Sequence, residues 1–120
     1  SLNNLAGLLY QQGDDAAARP LYERALAIRE RALGPEHPDT ATSLNNLAGL
    51  LYQQGDDAAA RPLSERALAI LEQRLGSEHP HTQIVRQHLQ RLLRQLGGSR
   101  PSIWRLIVQL VRRIMRRLLQ

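Results

Sequence analysis

The chain has 120 residues, of which 42% are hydrophobic and only 3% aromatic, and it contains no cysteine and no Phe. Without cysteine, disulfides and Cys-ligated metal sites are excluded. A core of Leu, Ile and Ala suits closely packed helices better than a sheet. No run approaches the ~20 apolar residues of a membrane span, and no charged-then-apolar leader opens the chain. We therefore expect a cytoplasmic protein, or a fragment of one, since Ser1 stands inside a repeat.

The net charge of +5 is unevenly divided along the chain. Residues 1–84 carry seven Arg against eleven Asp and Glu, a net charge of −4. Residues 85–120 carry nine Arg and no acidic residue, a net charge of +9. The sequence therefore predicts a weakly acidic body with a strongly basic end.

One segment of the sequence occurs twice. SLNNLAGLLYQQGDDAAARPL occupies residues 1–21 and returns at 43–63, and aligning 1–42 on 43–84 leaves eight mismatches. A third, degraded copy begins at Val85. A period between 20 and 50 residues is typical of a solenoid, in which each unit buries its apolar face against its neighbours.

Each unit is predicted to contain two helices. The first runs from about Asp39 to Gln54, and Gly55 ends it in the left-handed conformation that a helix C-terminus favours. Asp56 or Asp57 caps the second helix. Pro38 and Pro80 are expected to precede the next first helices, and Pro62 to be tolerated in the first turn. The apolar stripe of the first helix comprises Leu44, Leu47, Ala48 and Leu51.

These positions resemble a known family. The tetratricopeptide repeat signature is matched in the first copy by Leu2, Leu5, Ala6, Leu9, Gly13, Ala18, Tyr22 and Ala25. The period of 42 and the linker LGPEHPDTATSLNNLA resemble the kinesin light chain type of that family. The resemblance covers residues 1–97, divided into 1–42, 43–84 and a partial third repeat from 85. Ser64 departs from it, because the first copy has the aromatic Tyr22 there.

The resemblance implies an all-α, right-handed solenoid whose first helices line a concave groove, with a protein-interaction role. The free face of each first helix carries Asn, Gln, Tyr and Gly, and amides can pair with both N–H and C=O of an extended peptide. Gly7 and Gly49 on this face indicate a close approach to the helix, either by a ligand or by a neighbouring helix that packs there. The candidate groove residues are Asn3, Asn4, Tyr10, Gln11, Asn45, Asn46, Gly49, Tyr52, Gln53, Gln87, His88, Arg91 and Arg94.

Two of these residues suggest an acidic ligand. Arg91 and Arg94 could anchor an acidic side chain or a terminal carboxylate, or they could be solvated surface residues on an end helix.

No catalytic residue is predicted, since no nucleophile stands at a recognisable spacing from a base. No cofactor is expected, and the four His do not form a metal-ligand pair on one helix face. We therefore predict a protein without enzymatic activity.

The C-terminal segment breaks the repeat. A linker is predicted over 98–102, followed by a basic amphipathic helix over 103–120, with Pro101 in its first turn and Ser99 or Ser102 as its cap. Its charged and interfacial residues include Trp104, Arg105, Arg112, Arg113, Arg116 and Arg117.

Several roles are open for this helix. It could cap the open end of the stack, which is the favoured interpretation because about two and a half repeats are near the minimum for stability. It could bind an anionic membrane surface, or a second copy of the chain through its apolar face. Nucleic acid is the least favoured partner. The chain as a whole is predicted to be a scaffold that binds a protein or peptide, with membrane attachment or a purely structural spacer as alternatives.

Overall fold

The computed structural model of the chain describes residues 1–97 and 102–119. These two ranges form helices joined by short turns and contain no strand, which confirms the predicted all-α architecture. The helices are α1 (Leu2–Gln11), α2 (Asp15–Leu33), α3 (Pro38–Gln53), α4 (Asp57–Leu75), α5 (Pro80–Gly97) and α6 (Ser102–Leu118). From α1 to α5, each helix packs on the next one along the chain, as in a helical repeat solenoid.

Local capping chemistry fixes where the second helices begin. The side chains of Asp14 and Asp56 each accept a hydrogen bond, 3.2 Å long, from the backbone N–H three residues later. Asp56, rather than Asp57, is therefore the cap of α4. Gly55 precedes it with φ of +83°, the left-handed value expected at the end of a first helix.

The prolines lie elsewhere than expected. Pro38 and Pro80 do not precede α3 and α5 but are their first residues, where a missing N–H does no harm. His37 caps α3, because its Nδ1 accepts a hydrogen bond from the N–H of Asp39 at 3.0 Å. Pro62 is the sixth residue of α4, beyond the first turn, so that helix lacks one internal hydrogen bond yet continues to Leu75.

The core lies between the repeats. The predicted stripe of α3 is buried along its whole length, from Leu44 to Leu51. Leu47 and Leu50 belong to one cluster with Ala6 and Tyr22 of the first repeat. Leu44 belongs to a second cluster, which reaches α4 and α5. The second repeat is thus buried from both sides.

The C-terminal helix differs from the others. α6 begins one residue before the predicted start, and the rest of the predicted linker, with Ser99 and Pro101, lies outside the described residues. Its side chains are described from Ile107 to Leu119, and all of them are exposed. Because none of these apolar side chains is buried, the capping role of α6 stays a prediction.

Candidate functional site

Two adjacent concavities follow the first helices of the repeats. The smaller one, here called the central pocket, has a volume of about 210 Å³ and is lined by α1, α3, α4 and α5. The larger and more open one, the N-terminal pocket, has a volume of about 530 Å³ and is lined by the first two repeats. Both have walls on α1 and α3, and α5 lines the central pocket, so the two concavities are together called the groove here.

Most of the predicted groove residues line these pockets. The central pocket contains Tyr10, Asn45, Gly49, Tyr52, Gln53, His88 and Arg91. The N-terminal pocket contains Asn3, Asn4, Gln11 and Asn46. Gln87 and Arg94 line neither pocket and are exposed on α5.

Hydrogen bonds between neighbouring repeats hold the walls of the central pocket. The Tyr10 hydroxyl on α1 donates to Gln53 Oε1 on α3 over 3.4 Å. His88 Nδ1 on α5 lies 3.4 Å from Asn45 Oδ1 on α3. Because an amide oxygen only accepts, this pair requires a proton on Nδ1 of His88. The same amide keeps its two N–H donors for other partners.

The charge of the groove is positive. Partial burial, and then the Arg91 guanidinium, lower the pKa of His88 below its ordinary value of 6.5. The imidazole is therefore neutral at pH 7, and Arg91 supplies the charge of the central pocket. Arg29 supplies that of the N-terminal pocket, and neither lining contains an acidic residue. A negatively charged ligand would meet no carboxylate there.

Some lining residues were missed by the sequence analysis. Tyr22 is buried beside Gly7 in the N-terminal pocket, and burial, together with nearby Tyr10, raises the pKa of its phenol. Its counterpart in the second repeat, Ser64, lines the central pocket with the buried residues Ala48 and Leu92. The signal that could have shown this was the mismatch between Tyr22 and Ser64.

The basic helix forms a separate candidate surface. Arg112, Arg113, Arg116 and Arg117 are exposed on α6, at a spacing that places them on one side of the helix. The side chains of Trp104 and Arg105 lie outside the described part of the chain. No helix within the described ranges combines the length and apolarity needed to cross a bilayer. Nor do the described residues contain a group of His and carboxylate side chains arranged for a metal ion.

Comparison with known families agrees with this architecture. The family model described as tetratricopeptide repeat matches residues 1–73. The chain belongs to the tetratricopeptide repeat family. Tetratricopeptide repeats generally act as scaffolds for protein–protein interaction and are typically non-catalytic. The match covers the two tetratricopeptide repeats from α1 to near the end of α4. No match to a curated protein was found for the chain.

Proposed function

We propose that this chain is a non-catalytic interaction module that binds an extended peptide, bearing an acidic group, along the groove of α1, α3 and α5. The observation that carries the proposal is the lining of the central pocket. Four helices from three successive repeats contribute to it, and its rim consists of amides, an imidazole and a guanidinium. The linker between the repeats and their period of 42 residues also suggest the kinesin light chain type of repeat.

The polar chemistry of the groove suits a peptide backbone. Asn45 and Asn46 are neighbours on α3, but one lines the central pocket and the other the N-terminal pocket. Each amide offers donors and an acceptor, so the pair could hold consecutive peptide groups across the boundary between the pockets. An extended chain needs such partners, because its own N–H and C=O groups remain unpaired.

The acidic group is assigned to the α5 end of the groove. Arg91 projects a fork of N–H donors that can hold a carboxylate in bidentate geometry. His88 lines the same pocket as Arg91, and its neutral imidazole can form a second contact with the ligand. Arg94, one turn further along α5, is the second candidate anchor, although it lies outside the pocket lining.

The backbone part of the proposal is tested by replacing Asn45 and Asn46 with Ala together. Peptides are first selected on the immobilised chain from a random display library, and their affinities are measured by calorimetry. We expect about a tenfold or greater loss, since removing a partner of a hydrogen bond costs roughly 1 kcal/mol per bond. Gln73→Ala, an exposed amide on α4, is the control. Unchanged affinity in the double variant would contradict the proposal.

The acidic part is tested on the ligand and on the protein separately. A selected peptide is compared with its Asp→Asn and Glu→Gln version, on the wild-type chain and on Arg91→Gln. We expect neutralisation to weaken binding to the wild type and to have little further effect on the variant. Equal affinities of the acidic and neutral peptides for the wild type would remove the anchor.

A second candidate function follows from α6. Eight large apolar side chains are exposed between Ile107 and Leu119, interspersed with four Arg on the polar side. A helix with such faces can lie on an anionic membrane, its apolar side in the lipid and its Arg among the headgroups. Vesicles of phosphatidylcholine with and without phosphatidylserine provide the test. Replacement of Arg112, Arg113, Arg116 and Arg117 by Gln should abolish sedimentation with the anionic vesicles, and equal sedimentation would exclude this role.

A further inference from the structure

We propose that the central pocket is a subsite for an aromatic side chain of the bound partner, whose ring lies between Ser64 and Gly49. This inference rests on the proposed function of the groove and assigns a residue class to one position in it. The chain itself provides the evidence, because its two nearly identical repeats differ at this place.

In the first repeat, an aromatic side chain fills the space that corresponds to the central pocket. Tyr22 is buried in α2, and its hydroxyl lies 3.6 Å from the point where a Cβ on Gly7 would be. The phenol ring thus occupies the space between the two helices of the repeat and reaches the groove at Gly7. An aromatic ring is therefore the natural content of this site.

The second repeat has the same helices as the first but lacks the aromatic ring. α2 and α4 have the same bounds when shifted by 42 residues, and residues 1–21 and 43–63 are identical. The first mismatch is Tyr22 against Ser64. A Cβ on Gly49, unlike one on Gly7, would meet no atom within 4 Å. The central pocket lies at this place and is lined by both Ser64 and Gly49.

The lining suits a ring that enters from the groove. Ala48 and Leu92 are buried apolar residues at the pocket, and Tyr52 adds an aromatic wall. Asn45 and His88 stand at the rim and can bind the polar end of a phenol or the adjoining peptide group. Aromatic rings bury a large area and find favourable edge or face contacts with other rings.

The first test uses p-cresol, which reproduces the side chain of tyrosine, and the full chain labelled with nitrogen-15. We expect p-cresol to shift the amide resonances of Gly49 and Ser64, and 4-methylcyclohexanol to bind at least several-fold more weakly. In Ser64→Tyr, which restores the residue of the first repeat, p-cresol binding should weaken at least tenfold. The same substitution in the turn after α4, Ser77→Tyr, should leave it unchanged.

Three results would overturn the subsite. They are absence of p-cresol binding to the wild type, equal binding to Ser64→Tyr, and equal binding of the aliphatic analogue. If Ser64→Tyr fails to fold, Gly49→Leu fills the same pocket from α3, where no atom opposes a new side chain. Undiminished p-cresol binding to that variant would likewise place the ligand elsewhere.

The second test separates this inference from the proposed function. A library-selected peptide containing Tyr or Phe is compared with its Ala version on the wild type and on Ser64→Tyr. We expect the ring to improve binding at least tenfold on the wild type and to have little effect on the variant. Equal affinities of both peptides for both proteins would overturn the subsite alone. Binding of p-cresol without binding of any peptide would overturn the groove function alone.

Discussion

The first and second repeats have nearly the same residues but different environments. Leu8 is 52% exposed on α1, whereas its counterpart Leu50 is 1% exposed on α3. Leu5 and Leu47 differ in the same way. Because residues 1–21 and 43–63 are identical, local sequence cannot cause this difference. Burial in a solenoid is conferred by the neighbouring repeat, and the second repeat has neighbours on both sides.

The largest expected effect comes from truncating the same leucine in each repeat. Leu50→Ala should lower the free energy of unfolding by about 2–5 kcal/mol, because it leaves a cavity in the shared core. Leu8→Ala should lower it by only about 0.5 kcal/mol, since that side chain is already half in water. Urea denaturation followed by circular dichroism measures both, and equal losses would mean that α1 is covered in solution.

The elements that were predicted well depend on short-range chemistry. The sequence predicts α3 from about Asp39 to Gln54, and the helix runs from Pro38 to Gln53. Its apolar stripe follows directly from the helical period, and its end follows from the positive φ of Gly55. Such features require only a few adjacent residues, which is why the sequence reveals them.

The central pocket could not be predicted in the same way. The sequence indicates only that Ser64 departs from the family signature and that Ala48 belongs to the core stripe. Both line the pocket, because Ser64 leaves empty the space that the ring of Tyr22 fills in the first repeat. The sequence also does not identify a partner for α6, because an amphipathic period shows an apolar face but not what covers it.

The second prediction concerns the ring that distinguishes the repeats. Tyr22→Ser gives the first repeat the residue of the second and should lower the free energy of unfolding by roughly 2–3 kcal/mol, since a buried ring is lost. The swap variant, Tyr22→Ser with Ser64→Tyr, should recover part of this loss. In the swap variant, p-cresol should perturb the amide of Gly7 instead of Gly49. Continued perturbation of Gly49 would show that the ring does not define the pocket.

The smallest expected effect is a pH dependence of stability that arises from His88 on α5. His88 stands where the second repeat has Asn46, so His88→Asn restores the residue of the repeat. Burial and Arg91 lower the pKa of His88 in the folded chain below 6.5. In the unfolded chain the imidazole therefore takes up its proton at a higher pH than in the folded chain.

The sign of the effect follows from this difference. Above pH 6.5 both states are neutral, and the contribution of His88 to stability is fully present. As the pH falls through 6.5 towards the lowered pKa, the unfolded state binds more protons and the folded state loses stability. Melting temperatures of the wild type and of His88→Asn, measured between about pH 8 and about pH 5, should diverge on acidification to the disadvantage of the wild type. Since the other three His are present in both proteins, parallel curves would show that folding does not lower the pKa of His88 in solution.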